Sequence, residues 1–445
     1  MRSIQTAAGP SLEIAVIGSG ISGLSAAWLL SSGHRVTLFE ADGRLGGHSN
    51  TVQVSGVDVD TGFIVYNEAT YPNLIALFDH LGVKTTPSDM SFAVSLGDGR
   101  LEYSGTGITG LFAQPRNLTS PRFWSMLRDL ARLYREAPRA GDLQDMTLDA
   151  FLDAGGYGKP LREDHLYPMA AAIWSTPASQ VGAFPAQAFL QFCENHGLLR
   201  LAGRPIWRTV IGGSRSYVGK LAAGIPQIAS HAPVEAVQRT AGSVAVRARG
   251  AWRRFDRAVI ATHADQALRL LADPSPEEIR LLGAFRYGSN RAVLHSDAGL
   301  MPRRRRVWSS WNYMASERGV GRSLAVSYWM NRLQGLPGAP PLFLTLNPHM
   351  PVRSDAIHYE TDYAHPVFDM QALAAQKELW SLRGRDNIGF CGAYFGAGFH
   401  EDGLQAGLAA AEAIGGVRRP WRVNSESGRI ALPPQEEKPR RLEAA

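Results

Sequence analysis

The chain is poor in cysteine and in lysine. Only Cys193 and Cys391 occur in 445 residues, far apart in sequence. Two distant thiols exclude a disulfide framework and a cysteine-rich zinc site, and they fit a reducing compartment. The opening residues, MRSIQTAAGPSLE, lack the apolar core of a secretory signal. No uninterrupted apolar run approaches the roughly 20 residues of a membrane span. No His, Cys, Asp or Glu grouping has metal-ligand spacing, so no metal is expected. No G-x-S-x-G elbow and no nucleic-acid-binding motif appears, so neither a serine nucleophile nor a nucleic-acid partner is expected. A cytoplasmic location follows as the expectation. Lysine is confined to Lys84, Lys159, Lys220, Lys377 and Lys438, so the net charge of +6 rests on arginine. A basic balance favours anionic partners and leaves a peripheral seat on the inner membrane surface open.

What the chain does have begins with LEIAVIGSGISGLSAAWLLSSGHRVTLFEADGRLGGHS, residues 12–49. Glu13 to Ile17 reads as a buried strand, Ile21 to Leu30 as a helix and His34 to Glu40 as a second strand. Gly18, Gly20 and Gly23 form G-x-G-x-x-G between the first strand and the helix. This is the order of a dinucleotide-binding unit, in which backbone and helix N-terminus meet a pyrophosphate. Ser22 lies in the first helical turn. Glu40 ends the second strand, with Ala41 next to it, where a carboxylate accepts from a ribose hydroxyl. A carboxylate there would repel a 2′-phosphate. These features leave NAD and FAD open.

The following residues, EADGRLGGHS, place Arg44, Gly46, Gly47 and His48 after that acid. They resemble the signature of the flavin amine oxidase and phytoene desaturase superfamily. DTGF at 60–63 resembles its D-x-G element. GGSRSYVGKL from Gly212 resembles the element before the second FAD strand. NIGFCGAYFGAGFHEDGLQAGLAAAEAI from Asn387 resembles its closing motif. The resemblance implies FAD as cofactor. It implies Arg44 at the diphosphate, Gly47 and His48 near the flavin ring and Val234 at the adenine. It places Gly392 in the closing strand's turn, and a helix start at Asp402, Gly403 and Leu404 pointed at the ring. LMPRRRRVWSSWNYM and HPVFD narrow the likeness to a bacterial subgroup of FAD-dependent oxidoreductases encoded beside cyclopropane-fatty-acid-synthase-like methyltransferases. That setting implies a hydrophobic substrate, a modified fatty acyl chain. Many amine oxidases carry a lysine near the ring, and no lysine here sits in an aromatic strand, which favours a desaturase type. A flavin amine oxidase and a redox-neutral isomerase or mutase are the alternatives.

The expected fold class is α/β. A Rossmann-like FAD-binding domain with a doubly wound parallel sheet is assembled from 12–68, 207–265 and 381–416. A substrate domain with an antiparallel sheet comes from 69–206 and 266–380, the first piece mostly helical. A loosely ordered tail follows over 417–445. Gln227 to Val237 reads as one strand with a bend. His48 and His400 are the candidate catalytic residues, as bases or as tuning groups; a lone histidine is also commonly structural. Tyr66 and Asn67 either line the cavity or pack in the core. The same two readings apply to Trp308, Trp311, Tyr313, Tyr328 and Trp329. The run Arg303 to Arg306 beside Trp308 is either a contact for lipid phosphates, with the indole at the interface, or a solvated loop.

Overall fold

Strands from three separated stretches of chain meet in one sheet. The computed structural model describes residues 10–432 apart from 142, 144, 145, 175–177, 196, 197, 200–202, 204, 317–322 and 383. The sheet order is Gln227–Ala229, Arg35–Phe39, Glu13–Ile17, Arg257–Ile260, Ile388–Phe390. Every neighbouring pair is parallel. Its central strands are continuous apolar runs because both faces are covered: Ile14, Ala15 and Val16 are buried, as are Ala258, Val259 and Ile260. The helix Ile21–Leu30 is buried on all sides. It packs against the closing helix His400–Gly415. Gly407 makes that crossing close: a Cβ there would stand 2.2 Å from the Ser22 carbonyl oxygen.

A second, seven-stranded sheet runs Ile357–Val367, Arg286–His295, Phe343–Leu346, Ser323–Trp329, Trp311–Ser316, Phe92–Leu96, Leu101–Ser104. Its pairs are antiparallel, except that Trp311–Ser316 runs parallel to Phe92–Leu96. Residues 69–206 are mostly helical, as expected, but they also carry the hairpin Phe92–Leu96 with Leu101–Ser104, which the sequence reading missed. Its turn carries the signal, since Gly97, Asp98 and Gly99 all take positive φ. Its first strand gives no alternation because Ala93, Val94 and Ser95 are all buried.

The stretch from Gln227 to Val237 is also two strands, not one. Gln227–Ala229 joins the parallel sheet, while Val234–Thr240 pairs antiparallel with Ser243–Ala248. The expectation of a loose tail fails for 417–432. Arg419 is fully buried and its guanidinium donates to Glu412 at 2.8 and 2.9 Å. Trp421 stacks on Trp28 with centroids 6.0 Å apart, and Ile430 joins the core. The absence of helical or strand periodicity hid this segment, which is held by single anchoring side chains. Residues 433–445 lie outside the described residues.

Candidate functional site

A cleft of about 760 Å³ opens where the C-terminal ends of the parallel strands meet the seven-stranded sheet. That is where doubly wound sheets hold their ligands. The sheet ends contribute Gly18, Ser19 and Gly20, then Glu40 and Ala41, then Ala261 to His263, and Gly392 with Ala393. Gly46, Gly47, His48, Ser22, Val234 and His400 line it too.

The glycine loop is shaped by contact. A Cβ at Gly23 would stand 1.9 Å from the Gly18 carbonyl oxygen, so this position fixes the closeness of turn and helix. Gly23 therefore serves packing and is not part of the lining. At Gly20 a Cβ would meet nothing within 4 Å. It would project into open space on the cleft wall. The helix that begins there has no side-chain cap and no acid in its first turn. Its leading N–H groups and their partial positive charge are left for an anion.

Glu40 is tied back to that loop. It accepts from the Ser19 N–H at 2.9 Å and the Ser19 hydroxyl at 2.5 Å, and through its other oxygen from the Asp42 N–H at 2.9 Å. Arg44 is turned elsewhere. Its guanidinium donates to the carbonyl of Gly47 at 2.9 Å and to those of Leu45 and Ser49 at 3.3 Å. It does not line the cleft. In this structure it braces the turn that presents Gly46 to His48.

The D-x-G and G-G elements turn out to be one support. Asp60 accepts from the Ser214 N–H and hydroxyl, both at 2.8 Å, and from Gln334 at 3.0 Å. Burial raises its carboxyl to about 6. The Phe63 N–H donates to the His48 carbonyl at 2.8 Å. From the second element Tyr217 shares hydrogen bonds with Ser49 at 2.5 Å and with His400 Nε2 at 2.8 Å.

Histidines gather on the cleft wall. The ring of His48 lies 4.9 Å from Tyr363, 5.4 Å from His365 and 6.1 Å from His263, centroid to centroid. Its Nε2 is shielded from solvent and has no partner. Burial, then His365, His263, His400 and Arg44, push His48 down to about 3. Burial and His263 bring His365 to about 4, and burial brings His400 to about 3. His263 is lowered as well, again first by burial. His400 stacks on Phe63 at 3.7 Å and His263 on Tyr287 at 4.4 Å. All four imidazoles are therefore neutral at pH 7. Among the described residues no group of three His, Cys, Asp or Glu is placed to hold a metal ion.

The structure corrects the helix-start assignment. Gly398, Phe399 and His400 line the cleft, and Asp402, Gly403 and Leu404 do not. Asp402 caps its helix by accepting from the Phe399 N–H at 2.8 Å, and it pairs with Arg429 at 2.5 Å. Gly403 sits against Ile21 and Ser22, and Leu404 is in the core. Tyr66 is core, and Asn67 holds its own turn by accepting from the Ala69 and Thr70 N–H groups. Of the five aromatics, Trp311 and Tyr328 line the cleft, paired across neighbouring strands with rings 4.7 Å apart, edge to face. Tyr313 is core, and Trp308 packs on Trp329 and Phe343 away from the cleft. The expected interfacial indole is thus corrected: Trp308 is buried and donates to the Pro302 carbonyl at 2.7 Å. Cys391 is a buried core residue.

Sequence reasoning missed His263 and His365. His263 had a signal, since it follows a parallel strand at the same end as Gly18. His365 had none, because only the pairing of Ile357–Val367 with Arg286–His295 carries it to the cleft.

The match to known sequences agrees with this architecture. The chain matches the family described as flavin containing amine oxidoreductase over residues 21–296, more than half its length, and belongs to it. FAD is accordingly its cofactor. It is 45% identical over 73 residues to protoporphyrinogen oxidase 2 of Arabidopsis thaliana, covering 16% of this chain and 14% of that one. It is 31% identical over 160 residues to flavin-containing amine oxidase A of Sus scrofa, covering 33% and 29%. The chain thus spans less than a third of the length of these curated relatives. Among solved structures, the CLA-producing fatty acid isomerase from P. acnes superposes with TM-score 0.63 over 90% of this chain and 97% of that one, at 15% identity. That likeness is one of fold. No helix among the described residues is long and apolar enough to cross a membrane.

Proposed function

We propose that the protein is an FAD-dependent oxidoreductase that takes a hydride from an apolar substrate, a fatty acyl chain of a lipid. One observation carries the substrate class. The carboxylates and the guanidinium in the cleft lining, Glu40, Asp42 and Arg269, all come from the segments around the parallel sheet. The wall from the seven-stranded sheet adds Trp311, Tyr328, Leu344 and Leu346 beside the uncharged Tyr363 and His365, with no acid and no lysine. Such a wall favours a hydrocarbon and leaves a charged amine without a counter-ion. None of the lysines among the described residues lines the cleft.

The residues present fit the cofactor. The uncapped helix start beyond Gly20 and the open space at Gly20 suit a diphosphate. Glu40, held by Ser19, suits a ribose, and the backbone at Val234 an adenine. Gly46 to His48, Gly392 and Ala393 would border the ring, and Arg44 would act on it through the turn it braces. When bound, FAD supplies a flat ring that accepts hydride. The chain's own part is to orient the acyl carbon, exclude water and keep the site uncharged. Imidazoles at about 3 hold a proton poorly at pH 7. We assign His48 and His400 to neutral polar contact with the cofactor rather than to proton storage.

The amine oxidase reading keeps one specific support, the faces of Trp311 and Tyr328, which also attract cations. Anaerobic mixing of the FAD-loaded protein with acyl compounds and with amines separates the readings. Bleaching of the flavin band by acyl chains and not by amines is expected. Bleaching by amines alone would replace the acyl reading with the amine oxidase one. Turnover only after prior reduction of the flavin, without net oxidation, would replace it with the redox-neutral one.

A further inference from the structure

We propose that the face built by Ile108, Leu118 and Trp124 beside the arginine turn docks on an anionic phospholipid bilayer. Single exposed apolar side chains are ordinary on a protein surface, whereas a group of them marks an interaction site. Ile108 is 76% exposed, Leu118 53% and Trp124 49%, all within 17 residues of chain. They form one patch. Ile108 and Phe112 bracket a short helix on one side, and the ring of Phe112 lies 5.6 Å from that of Trp124. The Trp124 indole N–H donates to the Leu118 carbonyl at 2.8 Å, so the two exposed groups stand together. Trp is a residue that favours the boundary between headgroup and hydrocarbon.

The charges around the patch select the partner. The helix Ile108–Leu111 packs against the turn Arg305–Val307. Arg303, Arg305 and Arg306 are exposed there, and Arg116 is exposed two residues from Leu118. No acid occurs from 103 to 128 or from 298 to 316. The bordering Glu102 is buried and paired with Arg304 at 2.7 Å, and Asp129 is buried under the Gly158 N–H. Among the described residues, Asp297 borders the second stretch and accepts from the Gly299 and Arg353 N–H groups at 2.9 and 3.2 Å, and Asp98 stands at the hairpin turn. An apolar patch edged by exposed arginines, with Glu102 and Asp129 taken inward, complements a surface that is greasy and negative. A second copy of this chain offers no matching acidic rim at the same face, and an acidic protein alone leaves the exposed Ile, Leu and Trp unexplained. Arg304 belongs to the fold, and the three exposed arginines of the run belong to the surface.

The test uses the full FAD-loaded chain sedimented with vesicles of phosphatidylcholine, with or without phosphatidylglycerol. Cosedimentation with the anionic vesicles is expected at about 50 mM salt and should fall steeply at about 500 mM. The triple change Arg303→Ser, Arg305→Ser, Arg306→Ser should weaken it on the order of a hundredfold. Ile108→Ser with Leu118→Ser should weaken it about tenfold or more. Ile206→Ser with Ile211→Ser, which removes exposed apolar groups elsewhere, should change nothing. Flavin absorbance and melting temperature of each variant report that the fold survives. Wild-type protein that ignores anionic vesicles at low salt would overturn the proposal, as would Ile108→Ser/Leu118→Ser protein that binds like wild type. A dimer in light scattering that the same double variant dissolves, without any vesicle binding, would assign the face to a second copy instead. None of these readouts depends on the acyl-chain chemistry, so the two proposals fail separately.

Discussion

Glu40 and Trp311 line the same cleft, yet they reach it by different routes. Glu40 is placed by its neighbourhood: a strand, a glycine loop 22 positions upstream, and hydrogen bonds to Ser19 and Asp42. Trp311 is placed by partners far off in sequence, with Phe92 beside it on one strand and Tyr328 on the other. The first wall would recognise through backbone N–H groups and Glu40, so few residue types would serve at each position. On the proposed reading the second would recognise by shape and hydrophobicity, so many would. A fold that separates the two can keep its cofactor while its substrate changes.

The largest effect that would break this division lies at the glycine loop. Gly20→Val should fold, because the space beside it is open, and should lose FAD entirely. Gly23→Val should instead fail to give stable protein, since its side chain would collide with the Gly18 backbone. Flavin content and the melting temperature of the cofactor-free protein distinguish these outcomes. A Gly20→Val protein with full flavin would show that this loop does not meet the diphosphate.

Acid should destabilise the cofactor-free protein strongly. His48 and His400 at about 3, and His365 and His295 at about 4, lie below the usual histidine value of 6.5. The folded state therefore binds fewer protons than the unfolded one between 6.5 and those values. Stability present above pH 6.5 is lost as pH falls toward 4, by at most about 1.4 kcal/mol per group and pH unit. Asp60, raised to about 6, and Glu401, raised by burial, act in the opposite direction. Thermal melts should thus fall continuously from pH 7 to 4.5, and His48→Gln should flatten the slope. An unchanged slope would remove His48 from the buried cluster.

How far sequence reading carried follows the same division. The glycine loop, Glu40 and the turn at Gly46 to His48 were legible because local order carries them. Arg44 was legible as a cation near the site, but not its engagement by three carbonyls, which only the folded turn brings within reach. Asp402 was misassigned because an acid at a helix start serves either a ligand or its own cap, and Arg429, 27 residues on, decides for the cap. His263 could have been read from its place after a parallel strand, but His365 reaches it through sheet pairing, which leaves no trace in spacing. The buried Arg419 shows the same limit, since a charged residue in an aperiodic tail gives no sign that Glu412 waits for it.

Smaller effects sharpen the nucleotide wall. Glu40→Gln should cost about 1–3 kcal/mol of FAD affinity, because the carboxylate both fixes Ser19 and faces the cleft. Arg44→Ala should cost about 1 kcal/mol, since it loosens the turn through carbonyl contacts. Fluorescence titration of the refilled protein measures both. A larger loss for Arg44→Ala than for Glu40→Gln would mean that the guanidinium swings onto the cofactor.

The division of the cleft is tested most directly by titrating the FAD-loaded protein with straight-chain fatty acids and with alkyl amines of matched length, following the flavin absorbance. If the Trp311 and Tyr328 wall seats a hydrocarbon, affinity should rise about fourfold for each added methylene until the cavity is filled, and the acids should perturb the band more than the amines. Affinity that ignores chain length, or a band that responds to amines and not to acids, would contradict the account.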